Sequence, residues 1–390
     1  MSHTAARRLF AVGLIATASV ALTACAAPEA PAPSTDLAIG SVDLSADCPA
    51  TIVVQDSWVP QVEIGYLFQL LGEEYTVNSE QKSVSGPLMA GGEYTGVTLD
   101  VRAGGPAIGY QTASSQMYSD DSITLSTVGL DLALQLSSQF PTTGVFAALE
   151  VSPLMIMWDP ETYPDVKDLS DLGPALAEAG GVVRYSEGTA YMDYLLDSGI
   201  IPETVLDTSY DGTPGNFVAA GGKDAQQGYA DNEPYVYENE VADWGKPLEY
   251  QLLADVGWDA QPNVLSVRTA DVETLSPCLE KLVPLFQQAE VDYYADPAKT
   301  NAMILELVDA YDTGAVYTSG TIDAALETLQ SGGLIGNGSN DTVGDTDPDR
   351  VAAFFETAVP IYEATGSAPA DGLTAEDLYT NEFIDTSIGF

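Results

Sequence analysis

Thr51-Ile52-Val53-Val54-Gln55-Asp56-Ser57-Trp58-Val59-Pro60 is the stretch on which the fold turns. A β-branched run closed by Gln55 reads as a buried strand, because branched side chains pack well on a pleated surface. The turn Asp56–Pro60 leads into a helix expected over about Gln61–Leu71. Val97–Val101 reads as the next strand, and Gly104-Gly105-Pro106 turns the chain into a helix near Ala107–Tyr118. Ser122–Thr127 is a third strand, with a helix from about Leu130. Strands alternating with helices across short Gly-containing turns predict a parallel α/β architecture. In such sheets ligands gather at the carboxyl ends of the strands. Trp58 stands there, where an indole stacks on a flat heterocycle; packing inside the lobe is the alternative.

Downstream, Ala147–Met157 and Val182–Tyr185 read as strands, Asp165–Leu172 as a loop and short helix, and Asp224–Tyr229 as a short strand. From Leu275 the pattern turns helical: Pro277–Gln288, Pro297–Tyr311, Thr321–Gln330 and Pro348–Thr365. There is no internal repeat. Ser126 and Thr127 end a strand, and Tyr185, Ser186 and Glu187 open the helix Thr189–Leu196, so both loops are expected at a cleft. Ser186 serves equally well as a helix cap. Asn232 and Glu233 offer a donor and an acceptor beside Tyr229 and Tyr235, a set that can read the edge of an aminopyrimidine between aromatic faces; a bend before Pro234 is the competing role. Arg102 and Arg184 are scarce cations that bind an anionic ligand or pair with a neighbouring acid.

Composition narrows the function. The 390 residues carry 12 Lys and Arg against 58 Asp and Glu, a net charge of −46. Such a surface repels nucleic acid and disfavours anionic ligands unless a local Arg intervenes. With 20 Tyr, 10 Phe and 4 Trp the chain has the material for a core, so its acidity marks a solvated surface and not disorder. The single His is His3. Past the first residues there is no imidazole for a Ser-His-Asp or Cys-His machine, or for His-based metal sites. No metal or cofactor is expected. Ser79-Glu80-Gln81-Lys82 matches Ser-x-x-Lys but lacks its partner motifs. Asp345, Asp347, Asp349 and Glu356 mimic a calcium loop, but Arg350 replaces the needed Gly and Asp347-Pro348 reads better as a helix start.

Arg7 and Arg8, the apolar stretch Leu9–Leu22 and small residues before Cys25 form an export signal, too short for a comfortable bilayer span of about 20 residues. Leu22-Thr23-Ala24-Cys25 resembles the lipobox of bacterial lipoproteins. That resemblance implies a signal peptide over 1–24, an acylated Cys25 and a membrane-held, extracytoplasmic protein. A flexible tether follows to 49. Cys48 and Cys278 are the remaining thiols, and in an exported chain they suggest one disulfide, two free buried thiols being the alternative.

Thr51–Pro60, the pair Gly104-Gly105, Pro153–Met157 with Asp165–Leu172, and Gly228-Tyr229-Ala230-Asp231-Asn232-Glu233-Pro234-Tyr235 resemble, in that order, segments of the thiamine-pyrimidine-synthase-like solute-binding proteins of ABC importers. The likeness runs from about Thr51 to Tyr311. It implies a two-lobe periplasmic-binding-protein type II fold with a helical C-terminal region: lobe one from 50–151 plus 262–390, lobe two from 152–261. It also implies a monomer that takes a thiamine-precursor pyrimidine or riboflavin type of heterocycle and hands it to a permease, without catalysis. Receptors for sulfonate or nitrate share the wider fold, and a histidine-independent surface hydrolase is the reading from another class. The His and Cys-rich iron site of the fungal synthases has no counterpart here.

Overall fold

The structure, a computed structural model, describes residues 37–390. The expected signal peptide, Cys25 and the first part of the tether lie outside the described residues. The chain opens with β1 (Thr51–Gln55), a 3-10 turn at Val62–Ile64 and α1 (Gly65–Gln69). There follow β2 (Thr76–Asn78), β3 (Ser83–Ala90), β4 (Glu93–Arg102), α2 (Ala113–Ser119), β5 (Leu125–Val128), α3 (Leu130–Gln135) and β6 (Thr142–Ala147). Alternation on β1 explains its burial from Ile52 to Gln55. Ile52 and Val54 enter one core, and Val53 packs with Met117 and Ile123 on the opposite face. The hairpin β2–β3 departs from the sequence reading, because Gly86 and Pro87 interrupt the strand pattern.

The stretch Ala147–Met157, expected as one strand, is divided between two sheets. β6 ends at Ala147, and β7 (Leu154–Trp158) begins the second sheet after Pro153. Met155 and Met157 face one core while Ile156 and Trp158 face another, the period of two that a strand covered on both sides requires. Next come α4 (Leu169–Ala179), β8 (Val183–Arg184), α5 (Ala190–Asp197), β9 (Leu206–Asp207), α6 (Gly215–Ala220), β10 (Ala225–Tyr229), α7 (Glu233–Asn239) and β11 (Glu249–Leu252). Asp168 caps α4 by accepting from the N–H groups of Ser170 and Asp171. The chain then returns to the first sheet as β12 (Val264–Arg268), a strand unread in the sequence.

The first sheet has the order β2-β3-β4-β1-β5-β12-β6 and the second β11-β7-β10-β8-β9. β1 runs parallel to β4 and β5, whereas β12 is antiparallel to both its neighbours. Two crossings, after β6 and after β11, join the sheets. The protein therefore has the two-lobe α/β arrangement of the periplasmic-binding-protein fold, completed by α8 (Val272–Ala295), α9 (Ala298–Tyr311), α10 (Ser319–Ser331) and α11 (Pro348–Thr365). Asp347 caps α11 with Pro348 in its first turn.

These helices serve both lobes. α8 and α9 pack on α1. α11 packs on α3 and on α5, and Phe354 meets Trp258 edge-on at 5.1 Å. α10 touches α7, where Thr318 Oγ1 donates to Glu240 Oε1 at 3.0 Å. The tether expected to 49 is shorter than its composition suggests. Ile39 pairs with Tyr94, Leu44 is fully buried, and the Leu44 N–H donates to the Thr95 carbonyl. A disulfide joins Cys48 to Cys278 on α8, with Cα atoms 4.7 Å apart.

Candidate functional site

At the end of β1 the backbone turns outward and Asp56 turns inward. Asp56 is buried, and Thr127 Oγ1 donates to its Oδ1 at 2.7 Å while accepting the Ser57 N–H at 2.7 Å. Burial pushes the Asp56 carboxyl up to about 7, the hydrogen bonds pulling back only part of that rise. Trp58 follows with 41% of its surface exposed. Its carbonyl accepts the Gly104 N–H at 2.6 Å, and Gly105, at φ +53, lies directly against the indole. A Cβ on Gly105 would fall 2.6 Å from the ring, so glycine is needed there for space as well as for conformation. Tyr110 stands beside Trp58 at 6.0 Å between centroids.

A second group of candidate residues belongs to the second sheet. Tyr229 ends β10 with 44% of its surface exposed. Glu233 opens α7, and its Oε2 accepts the Tyr229 N–H at 2.7 Å. Burial, with the charge of Asp231 adding to it, pushes Glu233 up to about 7. Asn232 is the residue before that helix, so the bend expected there exists alongside the polar pair. Gln227 Oε1 accepts from the Ser186 N–H at 2.6 Å and from Tyr191 Oη at 2.5 Å, which fixes the Tyr185–Ser186 turn.

The lobes meet where Glu63, from the 3-10 turn after β1, contacts Asp231, from the turn after β10. Both carboxyl groups are pushed up, by burial first, with the charge of Asp231 adding to the rise at Glu63. Two buried carboxyls this close each make the other costlier to ionise. Gln61 Nε2 donates to Glu63 Oε1 at 2.9 Å, but Glu63 Oε2, Asp231 Oδ1 and Asn232 Oδ1 have no hydrogen-bond partner. Tyr317 lies close enough to feel both acids, and its hydroxyl accepts the Val62 N–H at 3.1 Å. Further back, Glu290 on α8 is buried with both oxygens unpartnered, beside unpartnered hydroxyls of Tyr66 and Tyr294, and burial pushes its carboxyl well above the usual range.

Trp58 and Tyr229 thus present open rings, Tyr185 and Ser186 are half-buried, and Glu187 is exposed. Ser126 and Thr127 are shut inside the sheet and offer no open surface; Thr127 acts by holding Asp56. Ser186 does not cap the following helix. Thr189 occupies the cap position, its hydroxyl donating to the Ser186 carbonyl. Arg184 pairs with Asp224 at 2.6 Å and with Asp207, and Arg102 pairs with Asp100 and Asp120. Neither faces Glu63, Asp231 or Glu233, and none of the charges acting on those three acids is positive. Asp56, Glu63 and Asp231 escaped the sequence reading. Each adjoins a residue or segment that it did single out, and Glu63 stands out as an acid inside the apolar run Val62–Phe68.

Among solved structures the fold is similar to the periplasmic aliphatic sulphonate binding protein SsuA from Escherichia coli, at 14% identity and TM-score 0.53, covering 84% of this chain and 94% of that one. It is also similar to the periplasmic nitrate-binding protein NrtA from Synechocystis PCC 6803, at 12% identity and TM-score 0.52, covering 86% and 87%. The alkanesulfonate-binding protein SsuA from Xanthomonas axonopodis pv. citri, bound to MOPS, matches at 14% identity and TM-score 0.51, covering 85% and 98%. No protein-family model matches the chain, and no curated protein matches it in sequence. At these identities the likeness is one of fold.

Proposed function

We propose that this chain is the solute-binding component of an ABC importer and that it captures a small, flat nitrogen heterocycle between its lobes. The supporting observation is the pair of half-open aromatic rings, Trp58 and Tyr229, at the carboxyl ends of strands in the two sheets, with Glu233 next to the second. Rings in that position sandwich a planar ligand, and a carboxylate reads its N–H edge. The lobes are 50–151 with 262–390, and 152–261, and ligand closes them by hinge motion. The protein works as a monomer on the extracytoplasmic face of the membrane, held there by an acylated Cys25, and passes its ligand unchanged to a permease. Among the described residues no helix is long and apolar enough to cross a membrane.

A thermal-shift panel of pyrimidines, flavins, sulfonates, nitrate and amino acids tests this, because a ligand that binds only the folded state raises the midpoint by mass action. Heterocycles are expected to shift it. Trp58→Ala and Glu233→Ala are each expected to abolish the shift while the protein stays folded. A hit confined to sulfonates or nitrate would replace the heterocycle with an anion, and turnover of any compound would favour a hydrolase. Mass spectrometry of the mature N-terminus tests acylation at Cys25.

A further inference from the structure

Two of the deeply buried acids in this molecule come with a cation, whereas Asp56 and Glu290 do not. Asp159, 1% exposed, receives Lys246 Nζ at 2.8 Å. Asp224, 5% exposed, receives two nitrogens of Arg184, at 2.6 and 3.0 Å. The chain is thus able to neutralise a buried carboxylate where it folds around one, even with few cations available. At the junction of the lobes it does not. Glu63 is 6% exposed and Asp231 is 2% exposed, and each carries an oxygen with no hydrogen-bond partner. A desolvated carboxylate without a counter-charge is costly, and truncating or repelling it would be cheaper for stability alone. The usual reason for an acidic chain, a solvated surface, does not cover these residues, because they are out of water.

We infer that the charge missing from the lobe junction is supplied by the ligand: the site takes a flat ring bearing a protonated or quaternary nitrogen, held by Glu233, Asp231 and Glu63 and faced by Trp58 and Tyr229. This rests on the reading of the inter-lobe region as the solute site. The chemistry is mutually consistent. The faces of indole and phenol rings carry negative potential and attract cations, most strongly where water is excluded. A carboxylate accepts a charge-assisted hydrogen bond from a protonated ring nitrogen more strongly than from a neutral one. Asn232 Oδ1, also without a partner, adds a neutral acceptor and no repulsion. An anion would find no free guanidinium here, because Arg102 and Arg184 are both committed to other acids.

The test uses three probes of one ring and three charges: 1-methylnicotinamide, nicotinamide and nicotinate. They are measured by isothermal titration on the purified protein, beside a thermal-shift panel of flat heterocycles sorted by charge. Cationic members are expected to bind at least about tenfold more tightly than their neutral counterparts. That preference should shrink as salt rises from 50 to about 500 mM. Glu233→Gln keeps an oxygen for the Tyr229 N–H and is expected to bring cationic and neutral members within about threefold of each other, with Asp231→Asn as a second variant should the first fold poorly. Neutral or anionic hits that bind as tightly as cations, or a cation preference untouched by both variants, would overturn the inference and leave the solute-binding reading standing. A panel with no hit of any charge would sink both.

Discussion

Raising the pH from 5 to 7 should weaken the folded protein, the reverse of what paired carboxylates do. The perturbation acts on Asp56 and Glu233, whose carboxyls burial lifts from 3.8 and 4.5 to about 7. Between those limits each stays protonated in the folded state and is ionised in the unfolded chain. The folded state therefore binds more protons, and stability falls with pH by up to about 1.4 kcal/mol per unit per group. The contribution is complete below pH 4 and is lost as pH climbs through about 7. Over the two units the two groups together would cost at most about 5 kcal/mol, and roughly half that once local relaxation is allowed. Glu63 and Asp231 are also raised and push in the same direction. Asp120, lowered by Ser122 and Arg102 against the effect of burial, acts in the opposite sense, but its contribution is lost only as pH falls through its depressed value, below this window. Urea unfolding at pH 5, 6, 7 and 8 and constant ionic strength, followed by the fluorescence of buried Trp158 and Trp258, reads the slope. A midpoint that is flat or rising from pH 5 to 7 would refute the reasoning. So would an Asp56→Asn variant with the parent's full slope.

Removing the disulfide by Cys48→Ser with Cys278→Ser opens a loop of 230 residues, for which chain entropy gives about 5 kcal/mol; a loss under about 1 kcal/mol in urea would show that the bond adds nothing to the contacts around it. Trp58→Ala, at an exposed ring, should change stability by less than about 1 kcal/mol while removing ligand binding; a large drop in midpoint would make it a core residue. Gly105→Ala places a methyl 2.6 Å from the Trp58 ring at a left-handed backbone position, so roughly 1–2 kcal/mol of stability and the ligand shift should be lost together, and unchanged binding would detach Trp58 from the site. Phe354→Ala deletes a core ring of α11 and should cost about 3–5 kcal/mol by urea midpoint.

Local patterns made much of the fold legible. The β-branched run Thr51–Gln55 is β1, and Pro348–Thr365 is α11 to the residue, because branching and the Asp-Pro start act within a few positions of chain. Pro277, read as the helix start, lies five residues inside α8, where tertiary packing of Leu279, Leu282, Val283 and Phe286 overrides its breaking tendency and that of Pro284. β12 went unread because its partners, β5 and β6, lie over a hundred residues upstream. The site followed the same division. That Trp58 and Tyr229 stand exposed at strand ends follows from local context. The inward turn of Ser126 and Thr127 depends on which face of β5 meets neighbouring strands, and the meeting of Glu63 with Asp231 depends on how two lobes dock. Neither relation is local in sequence.

The stitching of residues 39–48 to the first lobe has a mechanical corollary. If the chain is anchored through Cys25 as proposed, a pull on it enters through the Ile39 bridge and the Cys48–Cys278 link, into α8 and the seven-stranded sheet. The five-stranded sheet that carries Tyr229 takes no part in that path, so hinge closure as proposed would proceed without the anchor's pull acting on it.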